Sequence, residues 1–142
     1  MSNKTATEIP EGFEKLDIRS EFAAFNGPLY QRRNPIALGF FSENRHSNIN
    51  GVVHGGMLAT LADIGLFFIA SEGDDVMNGA TLSLNLNYIA PAPLKTFIHA
   101  EGQVIRAGRS IIFAEGRLLG KGEVLVTFSG TIKRFTKRGA SS

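Results

Sequence analysis

Cysteine is missing from all 142 residues. That excludes disulfides, thiolate metal sites and a cysteine nucleophile, and it fits a reducing compartment, with the cytoplasm the expected place. Long hydrophobic runs are missing too. A membrane helix needs about 20 apolar residues; the longest run here, 57–70, is shorter and is broken by Asp63. The opening "MSNKTATEIPEGFEKL" has no apolar stretch of the signal-peptide kind. Charge of one sign is scarce, the formal net charge being only +2. Four of the fifteen Lys and Arg gather near the end, at Lys133, Arg134, Lys137 and Arg138. A single aromatic residue, Phe135, lies among them, too little of a stacking surface for bases, so a nucleic-acid partner is not expected. A solvated basic end that keeps a strand from aggregating is. With no Cys and three His, no metal and no separate cofactor are expected.

What is present reads as one domain, with an N-terminal segment and short helix over 1–27 and the main body over 28–142. An apolar fraction of 43% and a charged fraction of 20% suit a globular core. "RSEFAAFNG" predicts a short helix with Ser20 as N-cap and Gly27 near its end. "PLYQRR" and "IALGFFS" read as strands meeting at Asn34-Pro35, and "ENRHSNING" as a loop. From 57 to 69 the apolar residues fall on every side, the mark of a buried helix. After the turn "SEGDD" the period changes to two. In "TLSLNLNYI", Leu82, Leu84, Leu86 and Tyr88 alternate with Thr81, Ser83, Asn85 and Asn87. "FIHAEGQVI" sets His99, Glu101 and Gln103 opposite Ile98, Ala100 and Val104. "RAGRS" turns into "IIFAEGRLL", and a tight "GKGE" hairpin leads to "VLVTFSGTIKRF". The expected class is α+β: a five- or six-stranded antiparallel sheet wrapped round one long helix, whose uncovered side calls for a second copy of the chain.

Asp63 is the anomaly of that helix. Of its neighbours one turn away, Ala59, Thr60, Leu66 and Phe67, only Thr60 is polar. A buried carboxylate there is either held structurally or tuned for chemistry. The helix begins at His54-Gly55-Gly56, where unpaired N–H groups and the dipole favour a developing negative charge. Nine residues separate His54 from Asp63, about 13 Å at ~1.5 Å per residue, and they lie about half a turn apart. One chain does not easily aim both at one carbonyl. Two antiparallel copies of the helix, side by side, could.

The stretch "HSNINGVVHGGMLATLADIG", read as His-x-Asn-x-x-Gly-x-x-His-Gly-Gly followed by Leu-Ala-Asp, resembles the hotdog-fold thioesterase superfamily in its PaaI-type acyl-CoA thioesterase branch. The likeness runs through "ATLSLNLNYIAPAP" and "RAGRS" and spans roughly residues 28–134. It implies a hotdog fold and hydrolysis of an acyl-CoA thioester. It implies Asp63 as general base or nucleophile, and Gly55 of the partner chain as N–H donor to the thioester carbonyl. Asn48 would hold substrate or water, His54 would support the same end, and Thr81 would assist the carboxylate. Gly56, Arg106, Gly108, Arg109, Ser110 and Arg134 fall where relatives contact substrate and coenzyme A, and Tyr88 is expected to line that channel. Asn50 departs from the proline common at its position, and Thr81 from a commoner serine. The expected assembly is a homodimer with shared sites, extended to a dimer of dimers.

Phe67, Phe68 and Met57 suggest an apolar pocket for an acyl tail, or else core or interface. His46 and His99 are expected in polar loop or exposed strand settings, outside the chemistry. Two rival readings keep the fold and change the function: a noncatalytic acyl-CoA binder, and an acyl-CoA hydratase or dehydratase.

Overall fold

The computed structural model describes residues 9–74 and 77–135. Lys137 and Arg138 of the basic end therefore lie outside the described residues. The elements in chain order are β1 (Glu14–Lys15), α1 (Glu21–Asn26), β2 (Tyr30–Arg33), β3 (Ile36–Phe41), a 3₁₀ turn (Asn44–His46), α2 (Gly55–Ala70), β4 (Gly79–Tyr88), β5 (Phe97–Ala107), β6 (Ile111–Gly120) and β7 (Glu123–Arg134). They form an α+β hotdog fold, one antiparallel sheet packed against the central α2. The sheet has seven strands rather than the five or six expected, in the order β1-β2-β3-β5-β6-β7-β4. The extra strand is the two-residue β1, which pairs Glu14 with Gln31 and Lys15 with Tyr30. Two residues are too few for a periodic signal.

Helix α2 starts before and ends just after the expected 57–69. His54 is its N-cap, in extended conformation, and its Nδ1 accepts the Gly56 N–H at 2.8 Å. Ser71 caps the other end, followed by Glu72 and Gly73 at φ 54° and 78°, a left-handed reversal that stops the helix. Met57, Leu58, Leu61, Ala62, Gly65, Leu66, Ile69 and Ala70 are buried. Ala59, Thr60, Asp63, Ile64, Phe67 and Phe68 are half-buried on the opposite side. The helix thus has one seated face and one apolar face that the single chain only partly covers. Seating is close. A Cβ at Gly65 would stand 2.8 Å from the Ala100 Cβ, so only glycine lets the helix approach β5 this far.

The alternation in β4 breaks where the sequence predicted continuity. Thr81 pairs with Ile132 of β7 and Ser83 with Thr131, which leaves Leu82 as a bulge. Leu82 is consequently 57% exposed and does not share a face with Leu84, Leu86 and Tyr88. One extra residue reverses side-chain direction, so Thr81 turns towards α2. A second bulge, at Ile105, ends the alternation of β5 in the same way. The "GKGE" hairpin forms as expected, with Lys121 and Gly122 both at positive φ between Gly120 and Glu123.

Candidate active site

Asp63 projects from the half-buried side of α2. Its Oδ1 accepts a 2.8 Å hydrogen bond from the Thr81 hydroxyl. That bond depends on the Leu82 bulge; strict alternation would have left Thr81 on the far face. The two residues share the wall of a cavity of about 830 Å³. Its apolar lining comes from Leu16, Ile18, Ile64, Phe67, Phe68 and Met77. Of the three residues read as pocket or else core or interface, Phe67 and Phe68 line the cavity, while Met57 is core, at 7% exposure. Leu16, Ile18 and Met77 escaped the sequence reading, because nothing local marks residues that meet only through the fold.

The start of α2 forms a second cluster. The Gly55 N–H donates to no acceptor among the described residues. The Gly55 carbonyl accepts from the Tyr88 hydroxyl at 2.9 Å, and the Tyr88 ring lies over the glycine, 3.5 Å from where a Cβ would be. The Gly56 N–H, by contrast, is occupied by His54. Asn48 shapes the preceding loop: its Oδ1 accepts from the N–H groups of Asn50 at 2.8 Å and Val52 at 3.3 Å. Its Nδ2 has no acceptor among the described residues, which leaves a donor beside the helix start.

These two clusters do not meet within one chain. Gly55 and Asp63 are eight residues apart on one helix, about 12 Å along its axis. The third group lies at the end of the sheet. The Ser110 carbonyl accepts from the Arg134 N–H at 2.7 Å, and Gly108 closes the turn by donating to Ile111. Arg134 pairs with Gly79, two residues along β4 from Thr81. Arg106, Arg109 and Arg134 are exposed and have no acidic partner among the described residues.

The histidines divide. His46 lies in the loop between β3 and α2, as expected, but is buried there at 4% exposure, and burial pushes its pKa below the ordinary value. His99 sits on the outer sheet face as read, beside Phe13 and Phe97 and 3.6 Å from Glu101; burial lowers its pKa too, with Glu101 opposing. A polar groove of about 670 Å³ on that outer face holds none of the expected site residues; in it Arg117 pairs with Glu101 at 3.2 Å. Among the described residues no group of three His, Asp or Glu could hold a metal ion, and no helix is long and apolar enough to cross a membrane.

Residues 50–127, from the loop before α2 into β7, match the family model of the thioesterase superfamily. The chain belongs to the thioesterase superfamily. The thioesterase match takes in Gly55, Asp63, Thr81 and Tyr88 together. Among its relatives, the Pseudomonas aeruginosa protein PA0474, named as an inferred esterase, is 28% identical over 126 residues, 86% of this chain and 94% of its own. Human acyl-coenzyme A thioesterase 13 is 28% identical over 88 residues, 56% of this chain and 63% of its own, so the chain spans less than two thirds of that relative. The fold is that of PaaI proteins. A mutant of the phenylacetic acid degradation protein PaaI from Thermus thermophilus superposes with a TM-score of 0.70 at 19% identity, over 82% of this chain and 100% of that one.

Proposed function

We propose that this thioesterase-superfamily protein hydrolyses acyl-CoA thioesters, at sites shared between two copies of the chain. The observation that carries the reading is the Asp63 carboxylate, held by the Thr81 hydroxyl at 2.8 Å in the wall of a cavity with an apolar side formed by Ile64, Phe67, Phe68 and Met77. A thioester is already activated, so the protein has to aim a nucleophile and stabilise the oxyanion.

Asp63 takes a proton from water as the water oxygen attacks the carbonyl carbon, or attacks that carbon itself to form an anhydride that water then opens. Either way the C–S bond breaks, the acid and the CoA thiol leave, and one water is consumed. The oxyanion is received by the Gly55 N–H of the second copy, helped by the positive end of that helix. The Asn48 Nδ2, which has no acceptor among the described residues, donates to the same carbonyl or to water. His54 holds the helix start by capping Gly56.

Two features support the paired arrangement. The half-buried face of α2 carries Ile64, Phe67 and Phe68 around Asp63, and β4 is an edge strand bonded only to β7 among the described residues. A dimer of dimers is part of the same proposal, as is the cytoplasm as its place of work. Arg106, Arg109 and Arg134, without an acidic partner among the described residues, suit the phosphates of coenzyme A, and the cavity of about 830 Å³ suits the acyl group.

The test is release of free thiol from a panel of acyl-CoAs by the wild type and by Asp63→Ala. Hydrolysis by the wild type and a fall of about a hundredfold or more in the variant are expected, the scale of losing a positioned base. Equal rates would remove Asp63 from the mechanism. Binding without thiol release from any acyl-CoA would make the protein a binder.

A further inference from the structure

His46 makes more connections than any role in a surface loop requires. It is 4% exposed. Its Nδ1 accepts the Glu43 N–H at 2.9 Å, and its Nε2 lies 2.9 Å from the Asn26 carbonyl at the end of α1. Its own carbonyl accepts the His54 N–H at 2.7 Å, and its ring meets Phe40 of β3 edge-on at 4.8 Å. Two residues on stands Asn48, and the Ser47–Val53 bridge closes the loop between them and the helix start.

We infer that His46 is a positioning residue of the thioesterase site, tying α1, the Asn48 loop and the His54 cap into one rigid unit that aims the Gly55 N–H and the Asn48 amide. The inference rests on the function proposed above. Only one form of the ring satisfies both bonds. A carbonyl accepts, so Nε2 must carry the proton; an N–H donates to Nδ1, so Nδ1 must be bare. Protonating Nδ1 sets N–H against N–H and opens the clamp. The charged groups facing the ring are Glu43 and Arg45, both from its own turn. From α1, β3 and α2 it meets the Asn26 carbonyl, the Phe40 ring and the His54 main chain, none of which titrates there. Arg45 reinforces the same tie by donating to the carbonyls of Phe25 and Gly27. The burial that lowers the His46 pKa agrees with a ring kept neutral at working pH.

Two measurements test this. Long-range proton–nitrogen correlation spectra of the wild type with ¹⁵N-labelled histidine should show His46 as the Nε2–H tautomer, protonating below the ordinary histidine range. An Nδ1–H tautomer, or ordinary titration, overturns the proposal whatever the enzyme does. In kinetics, His46→Phe keeps the ring volume and offers neither bond; kcat should fall roughly tenfold or more with KM changed less than about threefold. His46→Asn offers a non-titrating oxygen to the Glu43 N–H. It should keep kcat within about threefold at neutral pH and carry activity to lower pH than the wild type. A merely structural residue would change the yield of folded protein and leave the acid limb in place. An unmoved acid limb in folded His46→Asn, or wild-type kcat in folded His46→Phe, refutes the inference. If the wild type hydrolyses no acyl-CoA, the functional reading fails, and the tautomer alone decides whether the clamp exists.

Discussion

The Gly55 N–H can be deleted almost alone. Gly55 is the first residue of α2, the position where proline is best tolerated because its missing N–H has no helical partner. The preceding residue must be extended to accept a following proline, and His54 already is, at φ −60° and ψ 137°. Space exists as well: the nearest atom to a Cβ at this position is a Tyr88 ring carbon at 3.5 Å, an ordinary contact. Gly55→Pro should therefore cost little stability, within about 1 kcal/mol, since no bond is lost and the unfolded chain is stiffened. Its kcat should fall by about 10²–10³, the usual loss on removing one oxyanion donor. Gly55→Ala keeps the N–H and is the control, expected within about threefold of wild type. The proposed sharing of sites between two chains predicts a sharper result. Gly55→Pro and Asp63→Ala should each be nearly inactive alone, but a mixed dimer would contain one site with both groups intact. Random exchange of equal amounts makes about half of the dimers mixed, each with one working site of two, so about a quarter of wild-type activity should return. Thiol release measured before and after exchange, with dimer composition checked by native mass spectrometry, reads this directly. Mixed dimers with no activity, or a folded Gly55→Pro at the wild-type rate, would refute the reasoning.

Thr81→Val removes the hydroxyl that donates to Asp63 at 2.8 Å. A hydrogen bond to a charged group contributes about 1.5–3 kcal/mol, so kcat should drop roughly 10- to 100-fold, while Thr81→Ser stays near wild type; equal rates for all three would show the bond to be idle. Gly65→Val should destabilise by about 1–3 kcal/mol in urea denaturation, because its side chain meets Ala100 at 2.8 Å before any further atoms are counted; an unchanged midpoint would mean the helix seats more loosely than described. Acidification supplies a further check. Both His46 and His99 have folded pKa values lowered by burial, so below about 6.5 the unfolded chain binds protons first. Their contribution to stability is fully present above that pH and is lost as pH falls below it; denaturation at pH 7.5 and 5.5 should show the weaker fold at 5.5, and greater stability at 5.5 would contradict the sign.

The segment 48–63 was legible because its chemistry is local. A capping histidine, two glycines and an acid on an otherwise apolar helix are read from consecutive residues, and the structure puts His54 at the cap and Asp63 on the less covered face. Most strands were legible for the same reason, since alternation is a property of neighbours. Where legibility failed, a long-range contact had overridden a local pattern. Leu82 alternates correctly with Leu84 but is expelled by the register of β7, which cannot be known from β4 alone. His46 looks like one more polar residue in "ENRHSNING" until Asn26, twenty residues earlier, closes on its ring.

By itself, then, the sequence determined the α+β class, the helix with its acid, the polar and apolar faces of most strands and the separation of Gly55 from Asp63. Those follow from helix rise, strand period and turn chemistry, which act over a few residues. Only the tertiary structure decided that Thr81 faces Asp63, that Leu16 and Ile18 wall the cavity beside it, and that His46 is buried between α1 and the helix start. Each of these depends on which distant backbone fills the remaining space, and packing, unlike periodicity, leaves no mark on neighbouring residues.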